Sequence, residues 1–174
     1  PIIDPDLDRK FMPTLEPLNA KRFQNLDDAY KYGFESELTL KLPSNLSLAW
    51  NSAYVSTKNE DLDEALPLTP PWRNRFILAY NSKTYWAELA YQMVSKQDEL
   101  STSFGEVETP GWNTLDFKAG FNYKSYQFGV AALNIFDEFY NNHLNFAFTN
   151  QEGFGNRPIT EPGQNFSVFL KYKF

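Results

Sequence analysis

The stretch Tyr30-Lys31-Tyr32-Gly33-Phe34-Glu35-Ser36-Glu37-Leu38-Thr39-Leu40-Lys41-Leu42 decides the fold class. Tyr30, Tyr32, Phe34, Leu38, Leu40 and Leu42 fall on one side of a two-residue period, and Lys31, Gly33, Glu35, Glu37, Thr39 and Lys41 fall on the other. Successive side chains of a strand point to opposite faces, so the spacing predicts a strand of about a dozen residues with one apolar and one polar face.

The pattern recurs six times. It appears in Leu46, Leu48, Trp50 and Tyr54; in Trp72, Phe76, Leu78 and Tyr80; and in Tyr85, Ala87, Leu89, Tyr91 and Met93. It continues in Leu115, Phe117, Ala119, Phe121 and Tyr123; in Tyr126, Phe128, Val130 and Ala132; and in Phe166, Val168, Leu170, Tyr172 and Phe174. Seven strands are expected. Short connections at 43–45, 82–84 and 124–125 alternate with long polar ones at 59–71, 98–111 and 137–163. One rim is therefore tight and the other elaborate, the asymmetry of a transmembrane barrel with short periplasmic turns and long surface loops. Strand length points the same way, because a tilted strand crosses a bilayer with about 9–11 residues whereas soluble strands average about 5–6. Tyr30, Tyr32, Tyr54, Trp72, Tyr80, Tyr85, Tyr123, Tyr126, Tyr172 and Phe174 gather near strand ends, as the two aromatic girdles of such a barrel would.

Composition narrows the alternatives. A mean hydropathy of -0.52 excludes a helical membrane protein, since no apolar run approaches the roughly 20 residues of a spanning helix, but it does not test a barrel, whose strands alternate. The absence of cysteine rules out a disulfide framework and thiolate metal sites. Sixteen basic against 22 acidic residues, a formal net charge of -6, argue against nucleic acid as a partner. The chain opens at Pro1 with no signal segment and is read as a processed or excised piece. Residues 1–22, with prolines at 1, 5, 13 and 17 and no period, are expected to be a surface loop or linker, and 23–174 the strand region. Seven strands cannot close a single-chain barrel of even strand count. A larger, antiparallel all-β barrel of which these are the C-terminal strands fits best, because the proline-broken opening makes a poor eighth strand.

Several motifs carry a family resemblance. Phe23-Gln24-Asn25-Leu26-Asp27 followed by Tyr32-Gly33-Phe34-Glu35-Ser36-Glu37-Leu38 resembles the Y-x-N-x … G-x-E-x-E strand of TonB-dependent receptors. Pro70-Pro71, Lys96-Gln97-Asp98, Gly105-Glu106 and Thr109-Pro110-Gly111-Trp112 resemble features that follow it in that family. Asn134-Ile135-Phe136-Asp137-Glu138 with Tyr140 and His143 is similar to its N-L-F-D-x-x-Y-x-x-H, and Glu161-Pro162-Gly163 to its P-G-R, with Gln164 standing where Arg is usual. The resemblance covers about residues 23 to 174. It implies a 22-stranded outer-membrane barrel of a Gram-negative bacterium, plugged by an N-terminal domain and importing a metal chelate or vitamin. An iron-siderophore type ligand is the expectation, with copper, zinc and cobalamin open. The partners implied are outer-membrane lipid, TonB through the missing N-terminal region, and the barrel-insertion machinery. No cofactor is expected. A small eight-stranded structural or adhesive barrel and a soluble carbohydrate-binding sandwich are the competing readings.

No catalytic set is expected: His143 is the single histidine, and the carboxylates are scattered over loops. Structural roles are expected for most motif residues: close packing at Gly33, a polar wall from Glu35 and Glu37, and a strand-end cap from Asn134 with Asp137. The loop acids Glu60, Asp61, Asp63, Glu64, Asp98, Glu99, Glu106 and Glu108 match no Ca²⁺-loop spacing and read as a solvated rim. His143 lies in the longest loop with Asp137 and Glu138 nearby, and Asn141, Asn142 and Asn145 could add hydrogen bonds. Imidazole is the commonest transition-metal ligand, so His143, Asp137 and Glu138 are the candidate ligand contacts, although a lone histidine is more often a hydrogen-bonding loop residue.

The alternating end, Phe166 to Phe174, resembles the assembly signal of outer-membrane barrels, with Tyr172 and Phe174 as its aromatic marks. Deleting Phe174 from the full-length parent is expected to lower the amount that reaches the outer membrane. Surface labelling at equal expression measures this, and unchanged labelling would contradict it.

Overall fold

The computed structural model describes residues 28–145, 147–148 and 157–174. The expected loop at 1–22 and the Phe23-to-Asp27 half of the first motif lie outside the described residues. Among the described residues nine strands form: β1 Ala29–Leu42, β2 Leu46–Asn59, β3 Arg73–Asn81, β4 Tyr85–Val94, β5 Trp112–Tyr123, β6 Tyr126–Leu133, β7 Ala147–Phe148, β8 Arg157–Pro158 and β9 Asn165–Tyr172. Seven of them make one antiparallel sheet in the order β1-β2-β3-β4-β5-β6-β9, and β7 pairs only with β8 in a ribbon within the last long connection. The short turns fall at 43–45, 82–84 and 124–125, as their sequences require. Ser44, Asn45 and Lys124 take left-handed backbone angles there.

The register turns the period of two into a surface. Leu40, Leu48, Leu78, Leu89, Phe117, Ala132 and Phe166 stand directly opposite one another and form an apolar row across all seven strands. A second row runs Leu42, Leu46, Tyr80, Ala87, Ala119, Val130 and Val168. On the opposite face the corresponding row is Lys41, Ser47, Ala79, Glu88, Lys118, Ala131 and Ser167. Cross-strand neighbours within a row are near enough to interact, so each row behaves as a band.

Among the described residues no second layer covers the apolar face. Among the described residues the buried apolar side chains are only Ala65, Ala90, Val94 and Trp112, while Phe76, Leu78, Leu89, Phe117, Val130 and Val168 are exposed. An uncovered apolar surface of this extent has hydrocarbon as its natural neighbour. Trp50 and Trp72 lie on that side, and both indoles find partners in the sheet: Trp50 Nε1 donates to Asn74 Oδ1 at 3.1 Å and Trp72 Nε1 to Ser52 Oγ at 2.9 Å. The third strand begins at Arg73, one residue after the expected Trp72. β6 and β9 are shorter than the other five, with eight residues each. β6 stops where Asn134 turns left-handed.

An arginine at Leu78, within the central apolar row, should cost roughly 2–4 kcal/mol of barrel stability in lipid, and one at Ala79, facing Glu88 across the wet side, far less. Unfolding of the full-length parent from bilayers would reveal the difference. Equal costs would contradict the assignment of faces.

Candidate functional site

The described residues of the long-loop rim are joined by many side-chain hydrogen bonds. Three loops build it: 60–72 between β2 and β3, 95–111 between β4 and β5, and 134–164 between β6 and β9. The first folds back on its own strand, where Asn59 N–H donates to the Glu64 carbonyl at 2.8 Å. Leu66 N–H donates to Thr57 Oγ1 at 2.9 Å, and Thr69 Oγ1 donates to the Leu66 carbonyl at 2.7 Å. The second loop is pinned by the paired backbones of Gln97 and Thr109, and the Gln97 amide donates to the Thr69 carbonyl at 2.7 Å, joining it to the first.

Two glutamates complete the union. The Glu64 carboxylate accepts from Ser101 Oγ at 3.0 Å, Thr102 Oγ1 at 2.8 Å, Ser103 N–H at 2.9 Å and the Ser103 hydroxyl. Partial burial pushes this carboxyl up, but the bonds from Ser103, Thr102 and Ser101 outweigh it and bring the pKa to about 2. Glu106 accepts from Leu68 N–H at 2.6 Å and from Ser101 N–H at 2.9 Å. Its Oε1 also lies 3.8 Å from His143 Nε2, so one carboxylate faces all three loops.

His143 sits beneath the loops, its side chain 3% exposed. Its Nδ1 is 3.1 Å from Thr109 Oγ1, and its Nε2 is buried without a hydrogen-bond partner. Burial pushes the imidazole below its ordinary pKa, opposed in part by the Glu106 charge. The third loop is also held by Tyr140, whose ring lies 4.0 Å from that of Trp112.

The other candidate contacts have different partners. Asp137, exposed, accepts from Gln164 N–H at 2.8 Å. Glu138 exchanges its backbone groups with the Asn134 side chain, at 3.0 Å and 2.9 Å. The expected cap at Asn134 thus forms, and Gln164 contributes a bond from Nε2 to the Ile135 carbonyl at 3.0 Å. Among the described residues no three His, Cys, Asp or Glu side chains gather as a metal site, so His143, Asp137 and Glu138 are not brought into one ligand set. The loop acids divide. Asp98 and Glu108 are exposed and pair with Lys96, as a solvated rim would, whereas Glu64 and Glu106 tie the loops together and Glu99, which accepts from Ser56 Oγ at 3.1 Å, ties the second loop to β2. Below the rim, a recess of ≈ 500 Å³ on the polar face is lined by Glu35, Glu37, Asn51, Arg73, Arg75 and Gln92. Tyr172 and Phe174 are exposed at the opposite end of β9, with ring centroids 4.9 Å apart.

Comparison with known proteins adds the family. The model for "TonB dependent receptor-like, beta-barrel" matches residues 4–135. Among solved structures, "Copper transporter OprC" is 25% identical with a TM-score of 0.76, over 84% of this chain and 23% of that one. The ferric yersiniabactin uptake receptor FyuA from Yersinia pestis is 15% identical with a TM-score of 0.64, over 84% of this chain and 24% of that one, a likeness of fold. The chain therefore spans about a quarter of the length of these structures. No curated protein gives a match.

Glu64→Gln should loosen the first two loops. Protection of the Ser103 amide against hydrogen exchange is expected to fall roughly fivefold, equivalent to about 1 kcal/mol at this partly exposed site. The wild type should show the same loosening in acid. A carboxyl held at about 2 in the fold, below its usual 4.5, stabilises the fold fully above 4.5 and loses that contribution as pH falls from there toward 2. Protection that is flat through this window would contradict the role given to Glu64.

Proposed function

Because the chain belongs to the TonB-dependent receptor β-barrels, outer-membrane proteins of Gram-negative bacteria, we propose that the whole molecule imports a metal chelate across that membrane with energy delivered through TonB. This chain would supply C-terminal wall strands and three surface loops, with residues 1–22 as a loop or linker ahead of them. The observation that carries the reading is the family match over 4–135, which spans most of the strands and the first two loops.

The chemistry of the loops favours an intact chelate as cargo. They present amides, hydroxyls and carboxylates, and among the described residues no ligand group for a bare ion gathers on them. A chelated metal already has its ligands and needs only shape and hydrogen bonds from its receptor. An iron-siderophore type ligand is the working identification. Copper is the second reading, favoured by the 25% identity to a copper transporter. Copper(II) accepts imidazole nitrogen and carboxylate oxygen, of which these loops hold His143 and several acids. In this account Asp137 and Glu138 lie on the loop that meets the ligand, and His143 acts from beneath it.

Uptake by cells whose sole receptor of this type is the full-length protein tests the reading. TonB-dependent accumulation of iron from a loaded chelate is expected. Accumulation of copper alone would pass the ligand to the second reading, and uptake of neither would overturn the importer. At fixed surface abundance, His143→Ala is expected to weaken binding of the metal-loaded ligand several-fold. Unchanged affinity would leave His143 as a support of the loops only.

A further inference from the structure

The short-turn rim has a charge pattern opposite to that of the long loops. No Asp or Glu occurs in 39–50, 79–87, 119–130 or 166–174, the segments that form this rim, yet Lys41, Lys83, Lys124, Lys171 and Lys173 all do. By strand parity Lys41 and Lys171 belong to the wet face. Lys83 and Lys124 occupy turns, and Lys173 follows the end of β9 with the wet-face parity of Lys171, at the rim, where a long side chain can reach round the strand end toward lipid.

Backbone pairing brings these three together. Asn122 N–H donates to the Thr84 carbonyl at 2.7 Å and the Asn122 side chain to the Lys83 carbonyl at 3.3 Å, which sets the 82–84 turn beside the end of β5. Lys173 N–H donates to the Ser125 carbonyl at 2.9 Å, which sets Lys173 beside the 124–125 turn. Tyr123, Tyr126 and Tyr172 stand opposite one another in the last apolar-side row, with Tyr126 and Tyr172 4.9 Å apart. The Lys124 ammonium lies 5.3 Å from the centre of the Tyr123 ring, which holds it at the level of the phenols. All three lysines are exposed, and among the described residues none pairs with a carboxylate.

We propose that Lys83, Lys124 and Lys173, with Tyr123, Tyr126 and Tyr172, form a binding shelf for anionic phospholipid headgroups of the periplasmic leaflet. Tyrosines on the lipid side of a barrel rim sit at headgroup depth. A phosphodiester there can accept from an ammonium and a phenol together, both being donors to an anion. A zwitterionic headgroup brings an ammonium of its own, which the lysines repel, so the shelf selects a net negative lipid. The proposal rests on the barrel reading and adds to it a lipid preference at one rim.

The test is native mass spectrometry of the full-length receptor from bilayers of equal phosphatidylethanolamine and phosphatidylglycerol. Retained lipid is expected to be enriched several-fold in phosphatidylglycerol. Lys83→Gln/Lys124→Gln should abolish most of that enrichment, and the corresponding arginine pair should keep it. This double variant leaves the terminal strand untouched, and adding Lys173→Gln should remove the remainder. Surface abundance and chelate uptake are measured in parallel and are expected to hold, so failure of the barrel reading would show there instead. Equal retention of the two lipids by the wild type, or full enrichment in the double variant, would overturn the proposal. So would a variant that keeps its lipid but loses binding of a periplasmic TonB fragment, since the shelf would then belong to a protein partner.

Discussion

A peptide group inside hydrocarbon has no water to bond, so each N–H and C=O that enters must find its partner on a neighbouring strand. The antiparallel ladder from β1 to β9 meets that demand strand by strand. Once pairing is compulsory, register is compulsory too, and the register sorts leucines to one face and charges to the other. The sheet needs no buried core of its own because its apolar face meets lipid. Among the described residues β1 and β9 each have a partner on one side only, so the sheet is open at both edges.

The features that follow a local rule are the ones legible in the sequence. Alternation located seven strands, and the placement of Asn45, Ser82 and Lys124 located the tight turns, because both depend on residues a few positions apart. The Asn134 cap was visible for the same reason, with its partner Glu138 four residues on. The union of the loops was not. Glu64 bonds to residues 37 to 39 positions away, and Glu106 reaches Leu68 from 38. An acid in an aperiodic loop looks solvated until the fold supplies its donors, and Glu64 and Glu106 could not be told from Asp98 and Glu108 by type or spacing. The lone histidine was ambiguous in the same way. Its burial against Thr109 depends on a contact across 34 residues.

The wet face also holds an arrangement that alternation alone misplaces. Trp86 and Phe169 fall at polar-face positions, on β4 and β9, and their rings stack 6.0 Å apart. The register puts Gly120 and Gly129 on the two strands between them. A Cβ on Gly120 would run into the Trp86 ring, and one on Gly129 into Phe169. Two glycines, individually poor strand residues, thus open a trough in which aromatic rings from non-adjacent strands meet.

The rows of the sheet also limit how such a chain can change length over evolutionary time. Gaining or losing one residue inside a strand would swap every side chain beyond that point between hydrocarbon and water. In β2 that would drive Asn51 outward and turn Trp50 inward in a single step. Single-residue insertions and deletions are therefore filtered out of the strands, and drift in length is channelled to the connections. On the tight rim even the connections have little slack. The long loops are where added length meets no such barrier, and there the shared carboxylates of Glu64 and Glu106 make a change in one loop felt in its neighbour.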